Sequence, residues 1–111
     1  MKVDEFNQFM DFVIEKHIKG VMCKKSAEYA RGEDKLHNFK RASQMRDLPP
    51  EECLRGMLLK HDVSIEDMLD DLSNSGKEYP QELWQEKLHD KINYLFLLWA
   101  LLHERHGWEL K

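Results

Sequence analysis

Apolar residues recur along this chain at intervals of three and four, the spacing that lines up side chains on one face of an α-helix. Four such stretches are predicted. The first begins at Asp4, an N-cap candidate, and carries Phe6, Met10, Val13, His17 and Val21 on its apolar side. It continues past Lys24 and Glu28 and ends before Gly32. A shorter second stretch, about 34–45, opens with Asp34 as N-cap and shows Leu36 and Phe39 on one side, with Ala42 at the margin and Asn38 and Arg41 further round. Asp47-Leu48-Pro49-Pro50 is the clearest break, because proline is excluded from helix interiors and tolerated in a first turn.

The third stretch, about 50–72, places Leu54, Leu58, His61, Ile65, Met68, Leu69 and Leu72 on its apolar side. Asp62-Val63-Ser64 is a weak helical segment and a candidate kink. Ser73-Asn74-Ser75-Gly76 reads as a loop, and Pro80 starts a fourth helix that stops at Gly107. No period-two alternation persists long enough to propose a sheet. The chain is therefore expected to be a single all-α domain over residues 1–111, built as a four-helix bundle.

The fourth stretch also carries the first chemical signal. Stepping roughly 100° per residue, Glu86, Asp90 and Asn93 fall near the direction of Leu83, Leu97 and Leu101, so the carboxylates continue a core-facing stripe. An unpaired buried charge costs several kcal/mol, and a divalent cation is one solution. A slightly rotated, solvated helix, or neutralisation by Lys60 or Arg41, is the other. On the third stretch Lys60, Ser64, Asp67 and Asp71 recur at four, three and four, either as the opposite wall of a cleft or as an ordinary solvated face.

Composition narrows the class. With 111 residues, 34% charged and 41% hydrophobic, the chain suffices for one core and not two. A net charge of −4 argues against direct binding of duplex nucleic acid, which needs a basic face. It is compatible with a nucleotide held through a cation. Cys23 and Cys53 lack the spacing of a zinc or redox site and are expected as reduced thiols. No signal pattern opens the chain and no apolar run approaches a membrane span, so a cytoplasmic protein is expected. His103 and His106 in the last turn read as helix-end partners, and His17 as a core histidine.

Three blocks carry a family resemblance. Lys25-Ser26-Ala27-Glu28-Tyr29, then Leu36-His37-Asn38-Phe39, and later Glu86-Lys87-Leu88-His89-Asp90-Lys91-Ile92-Asn93-Tyr94 resemble the small phage-associated "nucleotide modification associated" proteins. These are similar in turn to the all-α MazG-type nucleoside triphosphate pyrophosphohydrolases. The similarity covers about 20–102, and 60–68 (Lys60 to Met68) resembles a further block of the phage group.

The resemblance implies a MazG-like four-helix core, Mg²⁺ or Mn²⁺ on facing carboxylates, and cleavage of a (deoxy)nucleoside triphosphate to monophosphate and pyrophosphate, in a phage-encoded protein acting in a bacterial cytoplasm. Glu86 and Asp90 match the second acidic motif, at Glu-x-x-x-Asp where the family often shows Glu-x-x-Asp. The first motif, Glu-x-x-Glu, is not intact. Asp67 with Asp71 is the nearest pair, and Glu28 is an alternative ligand or proton acceptor.

In an enzyme of this kind Glu28, Asp67, Glu86 and Asp90 would form the catalytic set, with Asp67, Glu86 and Asp90 on the metal. Lys25, Lys60 and Arg41 would meet phosphate oxygens, and Asn38, Asn93 and Tyr94 the base or sugar. The competing class is a non-catalytic helical module that binds a host protein or sequesters a nucleotide, using exposed tryptophans such as Trp84, Trp99 and Trp108. Leu95 and Trp99 lie on a second apolar side of the fourth helix, which predicts a homo-oligomer through that helix.

Overall fold

The computed structural model describes residues 1–20 and 34–111. It is all-helical, with no β-strand among the described residues: α1 (Val3–Phe12), running directly into a π-helical segment (Val13–Lys19), then α2 (His37–Arg46), α3 (Pro50–Ser75) and α4 (Gln81–His106). The chain divides into two compact units, Met1–His37 and Asn38–Lys111. No helix among the described residues is long and apolar enough to cross a membrane.

In the first unit α1 begins one turn earlier in its capping geometry than the sequence suggests. Lys2 occupies the N-cap position with extended backbone and no side-chain cap, while Asp4 and Glu5 sit inside the first turn, where the helix dipole favours carboxylates. Phe6, Phe9 and Met10 are exposed. From Val13 the helix widens to π geometry, which brings residues five apart together: the Phe12 and His17 rings meet edge to face at 5.3 Å. The wider turn changes which residue faces inward, so Ile18 is buried and His17 only half-buried. The expected continuation through Val21, Cys23, Lys24 and Glu28 lies outside the described residues.

Asp34 is the entry signal for α2, though as a turn and not as a helix cap. Its Oδ1 accepts the Leu36 N–H at 2.9 Å and its carbonyl accepts the His37 N–H at 3.2 Å, so the helix proper starts at His37. Asp47, at φ 54°, ends α2 in the left-handed region that aspartate tolerates, and the Ser43 hydroxyl donates to the Leu48 carbonyl there.

Pro50 then occupies the first turn of α3, which runs unbroken through Asp62-Val63-Ser64. Packing overrides weak local propensity at this point: Ile65 is buried and Asp62 is tied to Lys91 of α4 at 3.0 Å. α3 also extends three residues beyond its expected end, to Ser75, whose Oγ donates to the Asp71 carbonyl at 2.8 Å. Gly76 at φ 67° stops it and Gly107 at φ 62° stops α4.

α3 and α4 form an antiparallel hairpin, the main tertiary contact of the second unit. Its core is Cys53, Leu54, Ile65 and Met68 from α3, Leu101 from α4 and Phe39 from α2. Cys53 is a free, buried thiol. The Pro50 end is tied by Glu51 to Arg105 at 3.2 Å and by Lys40 to Glu104 at 2.7 Å, around a cavity of about 360 Å³ floored by Leu101. At the other end the Tyr79 hydroxyl donates to Asp71, and the Tyr79 ring meets Trp84 edge to face at 6.1 Å.

Leu54 is fully shielded from solvent, so Leu54→Ala is expected to destabilise the protein by about 2–5 kcal/mol in urea unfolding. A Cβ added at Gly76 meets nothing within 4 Å. Gly76→Ala should therefore lose only the left-handed backbone term of about 1–2 kcal/mol.

Candidate functional site

The hairpin contacts set a register. Glu51 stands against Arg105, His61 against Asp90 and Tyr94, and Asp62 against Lys91. Counting five residues on from Asp62 along α3 and five back from Lys91 along α4 brings Asp67 level with Glu86. Asp62 and Lys91 define one flank of the seam. At about 100° per residue, Lys60, Ser64, Asp67 and Asp71 of α3 and Glu86, Asp90 and Asn93 of α4 belong to the other flank. The two polar rows predicted from the sequence thus share one side of the same helix pair.

Their depth differs from the expectation. Leu101 is the buried residue of α4, and Leu83, Lys87, Asp90, Tyr94 and Leu97 are half-buried around its line. Glu86 is exposed, Asp90 and Asn93 are half-buried, and Asp67 across the seam is exposed. Neither Asp67 nor Glu86 makes a hydrogen bond or ion pair with a described residue. The inward pair of carboxylates is reduced to one, because Glu86 stands about 60° from the line of Leu101, against about 20° for Asp90, and reaches water.

Asp90 is held in a distinct setting. Its Oδ2 lies 3.9 Å from His61 Nδ1, and the two side chains are only 20% and 14% exposed. The His61 ring packs against Tyr94 with centroids 5.0 Å apart, and Tyr94 meets Phe39 of α2 edge to face at 6.4 Å. Tyr94 is therefore a wall residue, engaged by rings on two sides. The neighbouring cation, Lys91, is taken by Asp62 on the opposite flank. Lys60 is exposed, and Arg41 is exposed and donates to Gln44 at 3.0 Å. Neither neutralises Asp90.

The remaining predicted residues are placed as follows. Asn38 and Arg41 lie one turn apart on α2, both exposed. Lys25 and Glu28, and with them Tyr29, lie outside the described residues. Among the described residues no group of three or more His, Cys, Asp or Glu side chains is assembled as a metal site. The donor set beside the seam fits a hard divalent cation only in the manner of nucleotide sites, where one or two protein ligands are completed by water and phosphate oxygens. It does not fit an all-protein cage.

His61 falls on the apolar stripe of α3, as its spacing predicts, and its neighbour on the facing helix is the Asp90 carboxylate, which helical periodicity did not indicate. At the far end of α4, His106 Nδ1 contacts the Leu102 carbonyl at 2.8 Å and its ring stacks on Trp108 at 4.6 Å, a helix-end arrangement.

Comparison with protein-family models, with curated proteins and with solved structures gives no match to this chain.

The exposure pattern predicts that Glu86→Gln changes unfolding free energy by less than about 0.5 kcal/mol. Asp90→Asn, beside His61, should cost about 0.5–1.5 kcal/mol. Urea titration of both variants checks this and establishes that each remains folded for binding work.

Proposed function

We propose that this protein binds a (deoxy)nucleoside triphosphate with Mg²⁺ or Mn²⁺ and hydrolyses it to the monophosphate and pyrophosphate, on a MazG-like all-α scaffold, in phage nucleotide metabolism in the host cytoplasm. The observation that carries this reading is the half-buried Asp90, set against His61 and Tyr94, on the flank shared with Asp67, Glu86, Asn93 and Lys60. The sequence blocks around Glu28, Asn38 and Glu86 to Tyr94, which resemble the nucleotide modification associated proteins, supply the substrate class.

Chemistry of this kind asks for charge neutralisation on the phosphates and an oriented water, which a bound divalent cation supplies. The roles of the described residues follow from their positions. Asp90 is the anchoring carboxylate, since, unlike Asp67 and Glu86, it is half-buried and its charge is less screened. Glu86 and Asp67, exposed on the same flank, would be the further carboxylates beside Asp90. By the resemblance alone, Glu28 would be a further ligand or would accept the proton of the attacking water. Lys60 and Arg41 would meet phosphate oxygens, and the resemblance gives Lys25 the same part. Asn93, one turn on from Asp90, and Asn38 read the base or sugar edge, with Tyr94 closing the wall.

A second reading rests on a different surface. Leu88, Leu95, Phe96 and Trp99 on the side of α4 away from the seam are exposed, Trp99 at 66%. An apolar stripe of this kind on one helix is an interaction surface. We assign it to a homo-oligomer through α4, and a non-catalytic module that binds a host protein through the same stripe is the alternative.

Calorimetric titration of Mg²⁺ or Mn²⁺ with a mixed panel of deoxynucleoside triphosphates is expected to show metal-dependent nucleotide binding that the Glu86→Gln/Asp90→Asn variant loses at least about tenfold. Pyrophosphate release should fall with it. No binding by the wild type sinks the enzyme reading. Light scattering at micromolar concentration should report an oligomer that Trp99→Glu dissociates; a monomeric wild type would refute the assignment of the stripe.

A further inference from the structure

The exposed face of α4 has an internal symmetry. Leu88, Ile92, Leu95, Trp99 and Leu102 recur at four, three, four and three, the spacing of a coiled-coil seam, and they lie across the helix from the buried Leu101. Trp99 is the most exposed of them, and Leu88 and Leu95 are nearly half exposed. Leu88 and Trp99 stand equally far from the midpoint of α4, Gln81–His106, and so do Ile92 and Leu95. The strip therefore has the same positions from either end, with a leucine at one end where the other has an indole.

We propose that a second copy of this chain covers the strip in an antiparallel, two-fold pairing, with Trp99 of each copy against Leu88 of the other and Ile92 against Leu95. This rests on the homo-oligomer assignment given above and specifies its geometry. A closed pair of identical chains is two-fold, and its two α4 helices run either parallel or antiparallel. In a parallel pair each layer holds two copies of one residue, so two indoles share one layer and two leucines another, which call for different helix separations. Antiparallel pairing puts one large and one smaller side chain in both outer layers and Ile92 with Leu95 in both inner ones, so the layers are even.

Length and charge point the same way. A stable interface takes roughly 600–1,000 Å² from each copy, and one helix face offers that much only along its full length, about 39 Å for the 26 residues of α4. Because the strip is centred on the helix, matching Trp99 to Leu88 also brings the two helix ends flush. Glu82 in the first turn of one copy then comes level with the last turn of the other, where His103, Arg105 and His106 lie, and the two helix dipoles oppose. A parallel pair sets like ends together. Glu86 and Asp90 stand on the far side of α4 from the strip, so the pairing leaves the candidate row open.

The test is photocrosslinking of the full chain with p-benzoylphenylalanine in place of Trp99, followed by mass spectrometry of the species at twice the 13.3 kDa chain mass. The expected crosslinks fall on the partner at Leu88 and its neighbours one turn away. Crosslinks on the partner at position 99 and its neighbours overturn the antiparallel pairing and leave the oligomer standing. An oligomer by light scattering that gives no crosslink from this position overturns the proposal too, by placing the contact on another surface. A monomeric wild type removes both the geometry and the oligomer. A charge swap gives a second readout. Leu88→Glu and Trp99→Lys are each expected to be monomeric alone and to associate when mixed, because one outer layer then pairs a carboxylate with an ammonium and the other stays native. Variants that remain apart on mixing overturn the pairing.

Discussion

Two helices of 26 residues each, joined by a link of only a few residues, lie antiparallel and share the seam on which the second unit depends. Leu54, Ile65 and Met68 from one side and Leu101 from the other are withdrawn from water along it. Burying such side chains contributes roughly 1.5–3 kcal/mol each before entropy is counted. The polar groups at its margins are arranged around that strip: ion pairs at the Pro50 end, the tyrosine clamp at the Gly76 end, and the histidine–aspartate pair between them. Because the helices are long and rigid, a shift in the seam moves all three together.

The same constraint explains why the candidate site is a row and not a pocket. A helix pair offers two grooves, one on each side of its contact line, and side chains flanking the line can be half-buried without being enclosed. Asp90 and Asn93 occupy that intermediate depth. Their neighbours Glu86 and Asp67 stay fully hydrated. Such an arrangement presents donors to a ligand that brings its own oxygen atoms, and it leaves the donors solvated when no ligand is there, which lowers the electrostatic penalty of keeping several acids together.

Helix ends were legible because they rest on residues with few conformational options. Pro49-Pro50, Gly76, Pro80 and Gly107 mark the boundaries of α3 and α4 through a missing N–H, a fixed φ or a left-handed turn. Rotation was harder to read. α4 is apolar around much of its circumference, so periodicity does not single out one face, and an error of less than a quarter turn decides whether Glu86 meets the seam or water. The π-helical turn at Val13–Lys19 was not visible at all, since hydrophobic spacing near 3.6 does not distinguish it from an α-helix over so short a run. His61 shows the same limit: periodicity assigns its place on the apolar side of α3, and what stands opposite it, Asp90 and Tyr94, is not contained in the spacing.

The short link between α3 and α4 also has a kinetic meaning. Closing a loop of a few residues carries little entropic cost, and pairings between helices adjacent in sequence are the fastest to form. The seam can therefore nucleate without help from the rest of the chain, zipping outward from the Tyr79 clamp beside the turn. His61 and Asp90, further from the turn than the clamp and nearer to it than the Glu51 and Arg105 pair, would meet midway along that course, so the geometry of this half-buried pair is set while the helix ends beyond it are still unpaired.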